Sequence, residues 1–580
     1  MFGKKLLFTA SAVIIIARSH ALFAQTPAHQ TPSQTTTMSS VPEGGQPSYI
    51  KPETPEQRRM RLGMAEDPGT NPDPNKHYWR FGRSWHIEKF DRRWENFEGA
   101  DPGWVRPFGF VNLSREIYQR NERSNWVWMP DTMAEEAAPE TAQPETRYNQ
   151  EQIKYLQDMR SEFSELTPKS STKTIRFEES SEGLPTSGSW RNSLSVADMN
   201  GDGCADIIAP PERKGGQVPA IFLGDCKGHW KYWTEVKWPI NVDYGSVVAA
   251  DFNKDGHMDV AFGIHLFGIY VMLGDGKGNF TQVDQGLPRD FGTRKIVVSD
   301  VDHDGYPDIV ALSEGPSPAM AGGPSGRVRV YLNRKKGTAW EEIDAASSER
   351  RTAGDWLTVA NLTTDRSPDF IAATIFQNSN EVLYVSDGPK KWKPVNDAYL
   401  VPFLGSYSAN AAGRFTSKKV DDAIVAYTRT WPSDAPSNMV PDPAVKSVVG
   451  IDRISLTAAP HGHRTPIVRW AGTRGITGLA VGDFDGDGNL DLIYTRSDPR
   501  EAVVLLGDGK GGFARAAIDG LTVQPNANYD IKVADVNGDG RPDVILMYES
   551  GAGSAFANQN GSIHVFLNRG ATRAPMEAKK

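Results

Sequence analysis

The sequence predicts an all-β protein, a seven-bladed β-propeller with four-stranded blades and an N-terminal strand closing the last blade, preceded by a short non-repeat extension with some helix. Three observations predict it. A nine-residue acidic motif recurs along most of the chain, short apolar runs flank each copy, and one orphan strand pattern stands before the first copy where the last copy lacks its fourth strand.

Taken in chain order, residues 1–24 read as an export signal. Lys4 and Lys5 precede an apolar run from Leu6 to Ile16, small residues follow, and cleavage is expected after Ala24. An uncleaved anchor is the alternative, but the run is shorter than the roughly 20 residues a span needs. No later stretch is long and apolar enough to cross a bilayer, so no membrane span is expected after signal removal, and the exported chain is placed in the periplasm, at the cell surface or in the medium.

Residues 25–60 are rich in Pro, Thr, Ser and Gln and low in large apolar side chains, which makes them a disordered linker. Residues 61–170 form an aromatic-rich N-terminal extension. Between Tyr78 and Trp128, Trp, Phe, Tyr and Arg crowd together in a way that calls for packing on something. Further on, Ile153, Leu156, Met159, Phe163 and Leu166 recur at spacings of three and four, which predicts a helix over about 149–166 with Asn149 as its cap.

The repeats occupy 174–568. Complete copies of D-x-[DN]-x-D-G-x-x-D start at Asp198, Asp251, Asp300, Asp483 and Asp535, and decayed copies start at Asn361 and Arg414. The seven starts lie 49 to 69 residues apart, room for four short strands each. Apolar runs such as "SVVAA" and "DVAFG" bracket the motif, then come third runs such as "IYVMLGD" and fourth runs such as "FTQVDQG". After the seventh third run, "SIHVFLN", only a polar tail remains, 569–580, expected to be disordered. The orphan "TIRFEESSEGLP" echoes "FTQVDQGLP", so Thr174–Ser180 is predicted to supply the missing outer strand and remove two exposed sheet edges.

Side-chain oxygens at motif positions 1, 3, 5 and 9, a backbone carbonyl at 7 and a glycine for the turn at 6 make a cage for a hard cation, calcium before magnesium. The predicted ligands are Asp198, Asn200, Asp202 and Asp206; Asp251, Asn253, Asp255 and Asp259; Asp300, Asp302, Asp304 and Asp308; Asp483, Asp485, Asp487 and Asp491; and Asp535, Asn537, Asp539 and Asp543. That is about five calcium sites, in repeats 1, 2, 3, 6 and 7. A metal-free Asx turn is the bland alternative, but one fixed register repeated five times gathers like charges that a cation would relieve.

These copies resemble the FG-GAP or VCBS repeats of integrin α-subunit propellers and of many secreted bacterial proteins. The resemblance implies fold and metal, and leaves function open among adhesion modules, lectins and accessory domains of enzymes. Two copies depart from it. Asn361, Thr363 and Arg366 replace the pattern in the fourth loop, and Arg414, Lys418 and Lys419 in the fifth, so calcium is not carried over to either. Cationic side chains are expected to neutralise Asp365 and Asp369, or Asp421 and Asp422, in its place.

Strand direction puts all these loops on one face of the disc. The opposite face carries long loops at Pro210, Ser313, Thr428 and Glu549, and near the axis a ring of aromatic and polar residues: Trp190, Arg191, Asp243, Tyr244, Arg294, Asp355, Trp356, Tyr407, Arg474, Asn528 and Tyr529. These either bind a glycan or protein ligand or plug the central channel.

With 64 Lys+Arg against 72 Asp+Glu, nothing favours nucleic acid as a partner. The only two cysteines, Cys204 and Cys226, either pair or remain buried thiols. His461 and His463 are two apart in a stretch that reads as a solvated loop or, on a strand, as a metal-ligand pair. No elbow, zinc-ligand or phosphate-loop signature occurs, so no catalytic residue is assigned. The reading is an exported calcium-binding propeller acting as a binding or adhesion module for a carbohydrate or protein. The alternative is a polysaccharide-active enzyme of lyase or dehydratase type, with its site opposite the calcium loops.

Overall fold

The computed structural model describes residues 163–573 except 213–217, 265–267, 289–291, 314–327, 335, 346–354, 366, 374–382, 396–404, 431–446, 457–462, 473–475, 477, 525–527 and 550–560, together with four short strands of the extension. The export signal, the linker and most of the predicted helix therefore lie outside the described residues. Within the extension, His77–Arg80 pairs antiparallel with Trp126–Met129, and Asn96–Phe97 with Val111–Asn112.

Five four-stranded antiparallel meanders follow one another along the chain. The first runs Ser195–Ala197, Asp206–Ala209, Ala220–Gly224 and Trp230–Tyr232. The second begins at Gly245–Ala250 and ends at Phe280–Gln282. The third spans Thr293–Ser299 to Ala339–Asp344, and the fourth Trp356–Ala360 to Trp392–Pro394. The fifth comprises Gly405–Gly413, Asp422–Thr430, Ser447–Ser455 and His463–Ala471. Its last two strands were not picked out by the apolar runs, because Asp452 and Arg453 interrupt the first of them and Arg464, Arg469 and Pro466 the second.

The remaining strands form one eight-stranded sheet, in which Lys169–Glu179 lies between two meanders. It pairs antiparallel with Ser562–Arg573, from Phe566↔Glu179 to Arg573↔Lys173, as the orphan-strand argument requires. It also pairs parallel with Phe513–Asp519, a contact the sequence did not announce. Two expectations are corrected. The last strand runs on to Arg573, into the stretch expected to be a polar tail. The amphipathic period predicted helix through Leu166, but Leu166 instead forms a β-bridge to Arg469, exchanging both backbone hydrogen bonds at 2.9 Å. Pro168 disfavours helical geometry just before it, and the edge of the fifth sheet offers partners that a helix end would leave unused.

Apolar cores lie between neighbouring meanders, not within them. Ile208 and Ile221 of the first pack with Val247, Val260 and Tyr270 of the second. The cluster containing Ile207 and Phe222 of the first meander also holds Ile545, Ile563 and Val565 from the C-terminal one. That last cluster joins the two ends of the chain of meanders, and the architecture is propeller-like. Toward the axis the first strands are laced together: Ala249 N–H donates to Ser195 Oγ, and Ser193 Oγ and Leu194 N–H both donate to Asp530 Oδ2 at 3.0 Å.

Candidate functional site

The acidic loops share one construction. Positions 4 and 6 adopt left-handed backbone, with φ of 74° and 87° at Gly201 and Gly203, and 58° and 91° at Lys254 and Gly256. The chain thereby turns its N–H groups inward onto the position 1 carboxylate, a concave nest. Asp198 accepts from the N–H groups of Gly201, Asp202 and Gly203, and Asp483 from those of Asp487 and Gly488. Glycine at position 6 follows from that geometry. His303 at φ 58° accepts a left-handed backbone with a full side chain.

Position 2 is apolar and buried in every copy: Met199, Phe252, Val301, Leu362, Phe415, Phe484 and Val536 all sit at 5% exposure or less. This was readable in the sequence as an apolar residue fixed between motif positions 1 and 3. It pins each loop to the core.

Position 9 plays a part that the cage argument left out. Asp206 is fully buried, and its two oxygens accept N–H bonds from Met199 in its own loop (2.7 Å) and Gly224 on the third strand (2.9 Å). The same pair of bonds recurs at Asp259, Asp308, Asp491 and Asp543. It also recurs in the decayed fourth copy, where Asp369 accepts from Leu362 and Ser386. In the fifth, Asp422 accepts from Thr416 N–H and Oγ1–H, and Arg453 Nη1 lies 3.5 Å from its other oxygen. Position 9 is thus a latch between loop and third strand that persists where the other ligand positions have changed. Burial pushes these carboxyls up to about 6 at Asp206, Asp369 and Asp543 and about 7 at Asp259, Asp308 and Asp491; the N–H bonds oppose that rise and neighbouring loop acids add to it.

Position 3 decides how the remaining charge is met. Where it is Asn, the amide donates to the position 5 carboxylate, at 2.9 Å for Asn200–Asp202, 2.8 Å for Asn253–Asp255 and 3.1 Å for Asn537–Asp539. Where it is Asp, a basic side chain arrives from elsewhere: Arg334 lies 2.9 Å from Asp302, and Lys173 of the N-terminal strand lies 2.5 Å from Asp485. In these two loops the carboxylates converge closely enough to hold one ion, with Asp300, Asp302 and Asp304 in one and Asp483, Asp485 and Asp491 in the other. An all-oxygen donor set of this density fits a hard divalent cation.

The expected substitutes for the ion are there in the fifth loop: Arg414 lies 3.8 Å from Asp421, and Arg453 reaches Asp422. Arg453 comes from the third strand and carries no sequence signal. Arg366 lies outside the described residues.

The candidate residues on the other face fall into three groups. Trp190 and Tyr244 are buried, and Trp190 Nε1–H donates to Ser187 O. Arg191 pairs with Glu549 at 3.5 Å and Arg294 with Asp355 at 3.3 Å, while Asp243 accepts from Tyr244 N–H and Trp356 lies under Lys295 Nζ at 5.5 Å. Tyr407, Asn528 and Tyr529 lie in strands whose side chains are outside the description there, and Arg474 and His461 are outside the described residues altogether, as are most of the long loops. His463 opens the fourth strand of the fifth sheet, opposite Ser455.

Of these candidates, Trp190 lines a groove of about 440 Å³ with Leu184, Pro185, Glu212, Phe222 and Tyr232, among others. It lies at the end of the first sheet away from its acidic loop, where the first and third strands begin and the fourth ends. Tyr232, which sequence reasoning passed over, is 46% exposed and the one large apolar side chain so exposed among the described residues. Its only sequence signal was its place at the end of a fourth strand. The cysteines pair as Cys204–Cys226, tying position 7 of the first loop to the next turn.

Residues 483–546, from the sixth acidic loop into the second strand of the last meander, match the family model for an FG-GAP-like repeat. That stretch is an FG-GAP-like repeat. A search of curated proteins returns no match. Solved structures similar to this chain include BBS1N in complex with ARL6DN, soaked with mercury, at 12% identity and TM-score 0.42 over 71% of this chain and 99% of that one. The biofilm matrix protein Bap1 of V. cholerae is similar at 14% identity and TM-score 0.34, over 67% of this chain and 91% of that one. Among the described residues, no helix is long and apolar enough to cross a membrane.

Proposed function

We propose that this FG-GAP-like chain is an exported, calcium-stiffened seven-bladed propeller that serves as a binding module for a glycan or protein ligand on the face opposite its metal loops. The blade count takes the eight-stranded sheet as two blades bridged by Lys169–Glu179. Calcium would occupy loops 1, 2, 3, 6 and 7, held by the side-chain oxygens of positions 1, 3 and 5, an amide oxygen at position 3 in loops 1, 2 and 7, and, where its oxygens have a free lone pair, by position 9. Its chemistry there is electrostatic, drawing acids together that otherwise repel.

The groove beside Tyr232 carries the recognition part of the reading. An exposed ring flanked by Trp190 and Phe222, with the Glu212 carboxylate at its rim, offers a flat apolar platform beside a hydrogen-bond acceptor. Glu212 Oε2 already accepts from Ser189 N–H at 3.1 Å, which holds it in place.

The test is binding of the full chain to a panel of soluble polysaccharides and envelope proteins, with Tyr232→Ala beside it. Binding that weakens in this variant while the melting temperature holds supports the reading. Ligand binding indifferent to Tyr232 overturns the groove as the site, and a calcium content of zero after equilibration overturns the metal.

A further inference from the structure

The ring of acidic loops is interrupted at its fourth and fifth members. Loops 4 and 5 are neighbours, and both have lost the cage residues at positions 1 and 3. They are tied directly to each other instead: Asn361 N–H donates to Asp421 Oδ2 at 2.9 Å, and Asp421 N–H returns to Asn361 O at 2.7 Å. Thr364, Ser417 and Lys419, at positions 4 and 6, do not adopt the left-handed backbone found there in the intact loops. The turn that wraps N–H groups around an acid is thus given up in both loops.

A cavity of about 670 Å³ opens beside this joint, lined by His303, Asn361, Thr363, Thr364, Asp365 and Lys419. Five of these six stand at motif positions 1, 3, 4, 5 or 6 of the two changed loops. Three of them, Asn361, Thr363 and Lys419, are substitutions that remove the cage. Its volume falls in the range of small-ligand sites.

The described lining side chains are an amide, two hydroxyls, a carboxylate, an ammonium and an imidazole, which between them supply hydrogen-bond donors and acceptors. A peptide partner needs aromatic or aliphatic anchors in its pocket, and among the described residues no aliphatic or aromatic carbocyclic side chain lines this one. Among the described lining residues, Asp365 supplies one carboxylate and Lys419 one ammonium. The geometry points to a neutral oligosaccharide bound between loops 3, 4 and 5, its hydroxyls donating to Asp365 and accepting from Lys419, at a site separate from the Tyr232 groove.

Saturation-transfer NMR of the full chain with maltotriose, mannotriose and chitotriose tests this, with Thr364→Val/Asp365→Ala and Tyr232→Ala as paired variants and melting curves as the control for folding. Transfer from at least one trisaccharide, weakened roughly tenfold in affinity by the cavity variant but retained in Tyr232→Ala, is the expected result. No transfer from any of the three overturns the proposal, and so does transfer that the cavity variant leaves intact. Loss in Tyr232→Ala alone assigns the sugar to the groove and overturns the second site without touching the first. Binding of an unrelated peptide that the cavity variant abolishes, with no sugar bound, overturns the ligand class.

Discussion

Lys173 Nζ, on the strand that closes the chain of meanders, lies 2.5 Å from Asp485 Oδ2 and 3.8 Å from Asp487 in the sixth acidic loop. The hydrogen bond to Asp485 holds its ammonium above the usual lysine range, against the opposing pull of burial. One basic side chain thus links the N-terminal strand to a candidate metal loop, at a point where the ion itself would sit against it.

Lys173→Gln is therefore expected to act in opposite directions with and without calcium. In chelator the lost pair costs about 0.5 kcal/mol at most, because Lys173 is 37% exposed and solvent screens it. With calcium present, removing a competing cation tightens the sixth site. Calorimetric titration of wild type and variant reads this, and an unchanged affinity at every site sinks the competition.

Chelation is expected to lower the melting temperature of the whole propeller. A site saturated about a hundredfold above its dissociation constant contributes about 2.7 kcal/mol. Metal analysis alongside scanning calorimetry checks the number of ions, and Asn361→Ala or Arg414→Ala is expected to leave that number unchanged.

Asp369→Ala isolates the latch from the metal, since its loop lacks the cage. The change strips partners from the buried N–H of Leu362 and the half-buried N–H of Ser386. A loss of about 3 kcal/mol follows, equal in calcium and in chelator. Urea denaturation in both conditions measures it, and a calcium-dependent loss would tie this loop to an ion after all.

Lys295 gives the pH dependence its sign. Its amine crosses the axis to donate to Ser193 Oγ at 2.8 Å, and burial pushes it down to about 7, with Lys532 adding to the fall while Asp530 and Asp355 oppose it. The unfolded lysine binds a proton up to its ordinary value of 10.5. Between roughly pH 7 and 10 the unfolded state thus holds more protons, so this group's contribution rises with pH and is lost as pH falls through 7. Lys295→Met should flatten that slope in urea melts from pH 6.5 to 10, and an unaltered slope would place the titration elsewhere.

Much of the fold was legible because it repeats. An acidic turn, an apolar position 2 and short β-branched runs return at a regular period, so each copy reinforces the reading of the next, and the orphan Thr174–Ser180 could be matched to a vacant place. The fifth meander escaped in part because charged residues within its third and fourth strands, Asp452 and Arg464 among them, pair with each other at 2.9 Å across the sheet. Such pairs erase the apolar signature of a buried strand. The helix predicted to reach Leu166 failed at its end for a related reason, since a sheet edge distant in sequence supplied better hydrogen-bond partners.

The sequence by itself determined the acids that gather at each loop, the glycines that let the backbone turn there, and the order of strands, because all three depend on residues close together in the chain. Tertiary structure alone decided how the charge is balanced and where ligands find room. Arg334, Arg453 and Lys173 reach their acids from other strands, the position 9 carboxylates divide their oxygens between loop and third strand, and loops 4 and 5 come together to wall a cavity. Strand pairing within a meander brings Arg334, Arg453 and the position 9 carboxylates to their partners, while Lys173 reaches the sixth loop from the N-terminal strand and loops 4 and 5 meet across neighbouring meanders.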